Sequence, residues 1–119
     1  MAIHDDHQSS CLFCRLITGD IPAKIIYEDA EVVAFDDIKP QAPVHKLIIP
    51  RQHISTLNDA NEPLLMGHLL QTAKNLAHSL NCAEEGYRVV INCNSAGGQE
   101  VYHLHLHLLA GRDLHWPPG

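Results

Sequence analysis

The stretch Val101-Tyr102-His103-Leu104-His105-Leu106-His107-Leu108-Leu109 constrains the fold more than any other. Polar imidazoles alternate with apolar side chains, the period of a half-buried β-strand. Successive side chains of a strand point to opposite faces, so His103, His105 and His107 are expected on one face, about 6.5–7 Å apart. Tyr102, Leu104, Leu106 and Leu108 are expected to bury on the other. Histidine forgoes apolar burial and offers nucleophilicity, proton transfer near neutral pH and metal ligation, so this strand is read as the carrier of the chemistry.

At 119 residues the chain is long enough for one domain with its own core, taken as residues 11–119 behind a loose, flexible tail at 1–10. Eight basic against fourteen acidic residues give a formal charge of −6. A nucleic-acid coat needs a basic face, so no nucleic-acid partner is expected. No apolar run approaches a membrane span, and the polar start with Asp5 and Asp6 is unlike a signal peptide, so a cytoplasmic protein with no membrane partner is expected. In that compartment Cys11, Cys14, Cys82 and Cys93 are read as thiols or metal ligands, not disulfides.

Residues 11–18 read as a short helix stopped by Gly19, and residues 24–28 and 32–35 as strands around an acidic turn. A third strand spans 44–49 and ends at Pro50. Asn61 and Pro63 suit a helix start. Leu65, Leu69, Ala73, Leu76 and Leu80 then recur at helical spacing, with His68 and His78 expected in solvent. A fourth strand spans 87–92, and a glycine-bearing loop leads to the histidine strand. Five short strands, two helices and no βαβ rhythm give α+β, with a mostly antiparallel sheet.

Three imidazoles in strict alternation argue against an accidental polar edge. They leave open a chelating metal site and nucleophilic catalysis, in which one ring attacks and its neighbours orient it. Gly97, Gly98 and Gln99 just before them suit backbone N–H groups approaching a phosphate oxygen. A hairpin loop that simply needs glycine has the same composition.

These motifs together resemble the histidine-triad (HIT) superfamily, in its branch of nucleotide-binding proteins that are purine nucleoside phosphoramidases. The resemblance runs from Cys11-Leu-Phe-Cys14 through Asp20-Ile-Pro22, Asp37-Ile38, Pro40-Gln-Ala-Pro-Val-His45 and Ile48-Ile-Pro50 to Gly97-Gly-Gln99 and Trp116-Pro-Pro-Gly119. It implies a HIT-like five-stranded sheet and a homodimer that joins two sheets. It also implies that His105 attacks the α-phosphorus to form a nucleotidyl-histidine, with His107 and the backbone at Gly98 and Gln99 stabilising the phosphoryl oxygens. By the same resemblance His45 completes the network around His105 and His103 belongs to the catalytic set. Asp37 would hold the ribose, Ile38 pack on the purine, and Asn92 contact phosphate or sugar.

Glu100 stands where many members have a serine proposed to protonate the departing amine; glutamate can do so if its pKa is raised. The reaction needs no cofactor in this family. A structural zinc is implied on Cys11, Cys14, His53 and His103, a Cys₂His₂ set. The expected ligand is a purine nucleoside monophosphate or 5′-phosphoramidate such as AMP-lysine. The competing expectations are a dinucleoside polyphosphate hydrolase and a nucleotide-binding scaffold with incidental hydrolysis.

Overall fold

A computed structural model describes residues 8–119; the proposed tail lies largely outside the described residues, as do His4 and His7. The element order is α1 (Leu12–Ile17), β1 (Ile25–Glu28), β2 (Val32–Asp36), β3 (Val44–Pro50), a 3₁₀ turn (Leu57–Asp59), α2 (Pro63–Ser79), β4 (Tyr87–Val90) and β5 (Leu106–Ala110). The strands form one sheet in the order β1-β2-β3-β5-β4, every neighbouring pair antiparallel. Among the described residues no helix is long and apolar enough to cross a membrane.

Two-residue alternation divides this sheet into two working faces. Val32, Ala34, Ile48, Leu106 and Leu108 point one way and meet Leu65, Leu69, Ala73 and Leu76 of α2 in the larger core. Val33, Phe35, Leu47 and Ile49 point the other way and meet Phe13 and Leu16 of α1. The helix α1 is only six residues long. It covers part of its face, and the sheet histidines occupy the same side.

Strand limits depart from expectation where backbone hydrogen bonding dictates. The histidine strand was expected from Val101, but β5 begins at Leu106, the partner of Ile48. Pro50 lacks an N–H, and its carbonyl accepts from His103 Nε2 at 2.8 Å, so the β3–β5 ladder cannot extend. The chain instead crosses to Ile54, whose carbonyl accepts from Leu104 N at 2.6 Å. His103 and His105 therefore precede the ladder, and Tyr102, expected inside, is exposed.

Helix ends also differ. Glu62, not Asn61, is the N-cap of α2, with Pro63 at the first helical position. Leu80 is the C-cap and partly exposed, outside the buried stripe, and Asn81 in the left-handed region (φ 61°) turns the chain away. His68, expected in solvent, lies 2.7 Å from Asp29 Oδ2, which also accepts from Tyr27 Oη. Asp29 Oδ1 takes the N–H groups of Glu31 and Val32. One carboxylate thus ties α2 to the β1–β2 turn. Those hydrogen bonds outweigh the opposing effect of burial and hold the carboxyl well below the usual range.

Leu69 is fully buried in the larger core, whereas Leu64 on the same helix is 91% exposed. Leu69→Ala is expected to cost about 2–5 kcal/mol and Leu64→Ala less than about 0.5 kcal/mol. Urea midpoints of the two variants against the parent check this.

Candidate active site and thiol–histidine cluster

Proton placement at the histidines follows from groups whose roles are not negotiable. A backbone carbonyl only accepts and a backbone N–H only donates. His105 Nδ1 lies 2.7 Å from the His103 carbonyl oxygen, so Nδ1 carries the proton and, in the neutral ring, Nε2 holds a bare lone pair. Gln41 N–H donates to His45 Nδ1 at 2.9 Å, so His45 keeps its proton on Nε2. That proton meets His107 Nδ1 at 2.9 Å, which leaves His107 with an N–H at Nε2.

The neutral forms that this ordering requires are the ones the surroundings favour. Burial lowers the pKa of His45 and of His105 below 6.5, with Asp37 opposing in both cases and the bond to the His103 carbonyl also opposing for His105. Burial, reinforced by His105 and His45, pushes His107 down to about 4. One ring therefore presents a nucleophilic lone pair and the ring beside it a hydrogen-bond donor, 5.0 Å apart between centroids.

The sheet supplies this geometry. His45 is two residues from Leu47, the partner of His107, so the two rings are diagonal neighbours across β3 and β5. Val90 of β4 pairs with His107, the last pair of that ladder, and Asn92 follows two residues beyond the end of the strand. The Asp37 carboxylate reaches to 3.4 Å from His45 Nε2 and also accepts from Lys39 N. Ile38 beside it is 91% exposed, an apolar side chain standing in solvent at the rim.

The glycine turn plays a different part from the one expected. Gly98 N–H donates to the Ser95 carbonyl and Gln99 N–H to the Asn94 carbonyl, so both donors are engaged within the turn. The Gln99 side chain is buried: it accepts from Asn94 N and donates to the carbonyls of Ser55 and Val101. A Cβ at Gly97 would sit 2.5 Å from the Cys93 oxygen, so the turn needs glycine there to close. Glu100 is exposed and lines a cavity of about 310 Å³ with Cys11, His53 and Tyr102.

His103 is withdrawn from the other two histidines. Its ring is fully buried, Nε2–H bonds to the Pro50 carbonyl, and Nδ1 faces Cys11 Sγ at 3.4 Å and Cys14 Sγ at 3.6 Å. His53 Nδ1 lies 3.3 Å from Cys14 Sγ. Zinc bonds of about 2.3 Å to sulfur and 2.0 Å to nitrogen at tetrahedral angles place sulfur and nitrogen about 3.5 Å apart. The four residues thus fit a metal both in donor type and in spacing, with His103 fixed in the tautomer whose Nδ1 lone pair faces the sulfurs. Asp37, His45 and His107 also converge, their donor atoms within 4.8 Å. There the Gln41 N–H keeps the His45 proton on Nε2, so the ring offers N–H where a metal needs a lone pair. That second group is a hydrogen-bond relay.

Several contributors escaped the sequence reading. Phe13, between the two cysteines, sets its ring edge-on to His105 at 5.2 Å and near His103 at 5.9 Å. Gln41 sets the His45 tautomer, and its carbonyl is held by Arg112 Nε at 3.1 Å. The signal available was position: Phe13 inside the CxxC, and Gln41 between two prolines four residues before His45.

Residues 18–114 match the HIT domain model. The chain belongs to the HIT family. It is 54% identical over 110 residues to an uncharacterised HIT-like protein of Synechococcus elongatus, covering 91% of this chain and 96% of that one. A HIT family hydrolase from Legionella pneumophila superposes with a TM-score of 0.90 at 54% identity, covering 92% of this chain and all of that one. A histidine triad nucleotide-binding protein from Candida albicans superposes with a TM-score of 0.80 at 33% identity, covering 91% and 83%.

Because the fold keeps His45 and His107 neutral where an unfolded chain would protonate them, stability tracks pH with a definite sign. It is complete above pH 6.5 for these groups and is lost as pH falls from 6.5 toward about 4. Urea titrations across that window should show the decline, and His107→Asn should flatten it. An equal slope in both proteins would contradict the assignment.

Proposed function

We propose that this HIT protein is a hydrolase of purine nucleoside 5′-phosphoramidates, of the AMP-lysine type, acting through a nucleotidyl-His105 intermediate. The observation that carries this reading is the bare Nε2 of a neutral His105, held by the bond from its Nδ1 to the His103 carbonyl. The names of similar structures, a hydrolase in Legionella and a nucleotide-binding protein in Candida, point the same way.

His105 Nε2 attacks the α-phosphorus, a P–N bond forms to the ring, and the P–N bond to the amine breaks. His107 Nε2–H donates to a phosphoryl oxygen as negative charge builds. It keeps that proton throughout, because His45 behind it has only the one proton that already bridges them. The amine leaves with a proton taken up from the medium, and Glu100, at the position where many family members have the serine proposed as donor, would deliver it. Water then attacks phosphorus and loses a proton to the medium, the ring–phosphorus bond breaks and returns the lone pair to Nε2, and the nucleoside monophosphate departs. Asp37 and Ile38, beside the relay, suit a ribose and a purine face, and Asn92 suits the phosphate.

Cys11, Cys14, His53 and His103 would hold a structural zinc, outside the covalent steps. Cys11, Cys14, Cys82 and Cys93 are free thiols. The strand β4 lies at a sheet edge, which supports a homodimer joining two sheets.

Turnover of an adenosine 5′-phosphoramidate carrying a fluorogenic amine is expected to fall by roughly three orders of magnitude or more in His105→Asn, with AMP still bound. A diadenosine polyphosphate should be the poorer substrate of the parent protein. Faster cleavage of the polyphosphate would favour the dinucleotide hydrolase, and AMP binding without turnover would favour the scaffold.

A further inference from the structure

We infer that the Cys11, Cys14, His53 and His103 set is a positioning device for the nucleophile, so that a metal held there governs how His105 is oriented. The inference rests on the nucleophilic role proposed for His105. Its basis is that one residue serves both groups: the His103 side chain belongs to the cluster, and the His103 carbonyl receives His105 Nδ1–H at 2.7 Å.

Position 103 lies just before the β5 ladder, which starts at Leu106. Around it, Leu104 N donates to the Ile54 carbonyl and the Val101 carbonyl accepts from Gln99 Nε2. The His103 ring adds an anchor of its own. It is tied at Nε2 to the Pro50 carbonyl and at Nδ1 to two sulfurs of α1. With the ring held at both ends, the direction of the residue's own carbonyl is restricted, and with it the plane of His105.

A second route runs through α1. Cys11 is the N-cap of that helix, its sulfur accepting from Cys14 N at 3.3 Å, and Cys14 is buried in its first turn. Phe13 between them stands edge-on to His105, with an interplanar angle of 87°. Whatever draws the two sulfurs toward His53 and His103 therefore also seats Phe13 against the nucleophile. Thiols hold imidazoles only through weak S–H hydrogen bonds, whereas thiolates sharing a metal with them are fixed in distance and angle. Outer contacts of this kind change activity by about 10- to 100-fold when removed, because a small misalignment of an attacking group is costly.

The larger core, between α2 and the opposite face of the sheet, contains none of the four ligands. The protein is thus expected to keep its fold without metal and to lose alignment only. The test uses the full chain loaded with one equivalent of zinc, stripped by a chelator, and reloaded. Two quantities are read: steady-state phosphoramidate kinetics, and the NMR signal of the His105 Nδ1 proton assigned through ¹⁵N-histidine.

Loaded protein should show a slowly exchanging Nδ1 proton. Stripping should abolish that signal and lower kcat about 10- to 100-fold with KM changed less than about threefold, and reloading should restore both. Cys14→Ser should behave as the stripped protein does. The same Nδ1 signal in loaded and stripped protein would overturn the inference, as would failure to bind zinc. Collapse of the whole amide spectrum on stripping would make the metal a folding ligand and would equally overturn it. If no form hydrolyses the phosphoramidate, the proposed function fails, while the Nδ1 proton still decides the positioning role.

Discussion

The hydrogen bond from His105 Nδ1 to the His103 carbonyl is the constraint on which the site turns. An imidazole has two nitrogens and, when neutral, one proton; a carbonyl that can only accept decides where that proton sits. The same logic continues through the neighbours. Gln41 N–H can only donate, so His45 keeps its single proton on Nε2 and donates it in a hydrogen bond to His107 Nδ1, and His107 turns an N–H outward. Two immovable backbone groups thus give adjacent, chemically identical rings opposite tasks, one a base and nucleophile, the other a donor. Burial assists by keeping all three rings uncharged near neutral pH.

The architecture makes these backbone groups available. Pro50 ends the β3–β5 ladder because it has no N–H, and the segment before β5 is thereby released from strand pairing. A carbonyl inside a ladder would be spent on the neighbouring strand; the His103 carbonyl is not, and it receives an imidazole. The sheet still enforces alternation, so Leu104, Leu106 and Leu108 enter the core under α2 while the histidines keep to the face of α1. The amphipathic strand supplies both the stability of one face and the chemistry of the other.

Much of this was legible in the chain, for reasons that can be located. Period-two alternation with leucine identified the buried face at Leu104, Leu106 and Leu108, where burial leaves no other register, but not at Tyr102, which is exposed. The leucine stripe of α2 was legible through Ala73 and Leu76, and failed at Leu80, where the helix has already ended. The Cys₂His₂ grouping came from family resemblance, and the geometry gives it a physical basis. What the sequence concealed were roles set by backbone atoms: the carbonyls of Pro50 and His103, and the N–H of Gln41, carry no signature in residue identity. Gln99 differs for the opposite reason: its polar side chain, beside a turn expected to approach phosphate, accepts from Asn94 N and donates to the Ser55 and Val101 carbonyls inside the protein.

The most direct measurement is to locate the nucleotide on the enzyme. Protein labelled with ¹⁵N-histidine would be mixed with an adenosine phosphoramidate and quenched in alkali, where phosphorus–imidazole bonds persist. Peptide mapping then gives the residue, and phosphorus–nitrogen coupling gives the ring atom. The account predicts AMP on Nε2 of His105. AMP on another histidine, or on Nδ1 of His105, would contradict the proton ordering from which the mechanism is built.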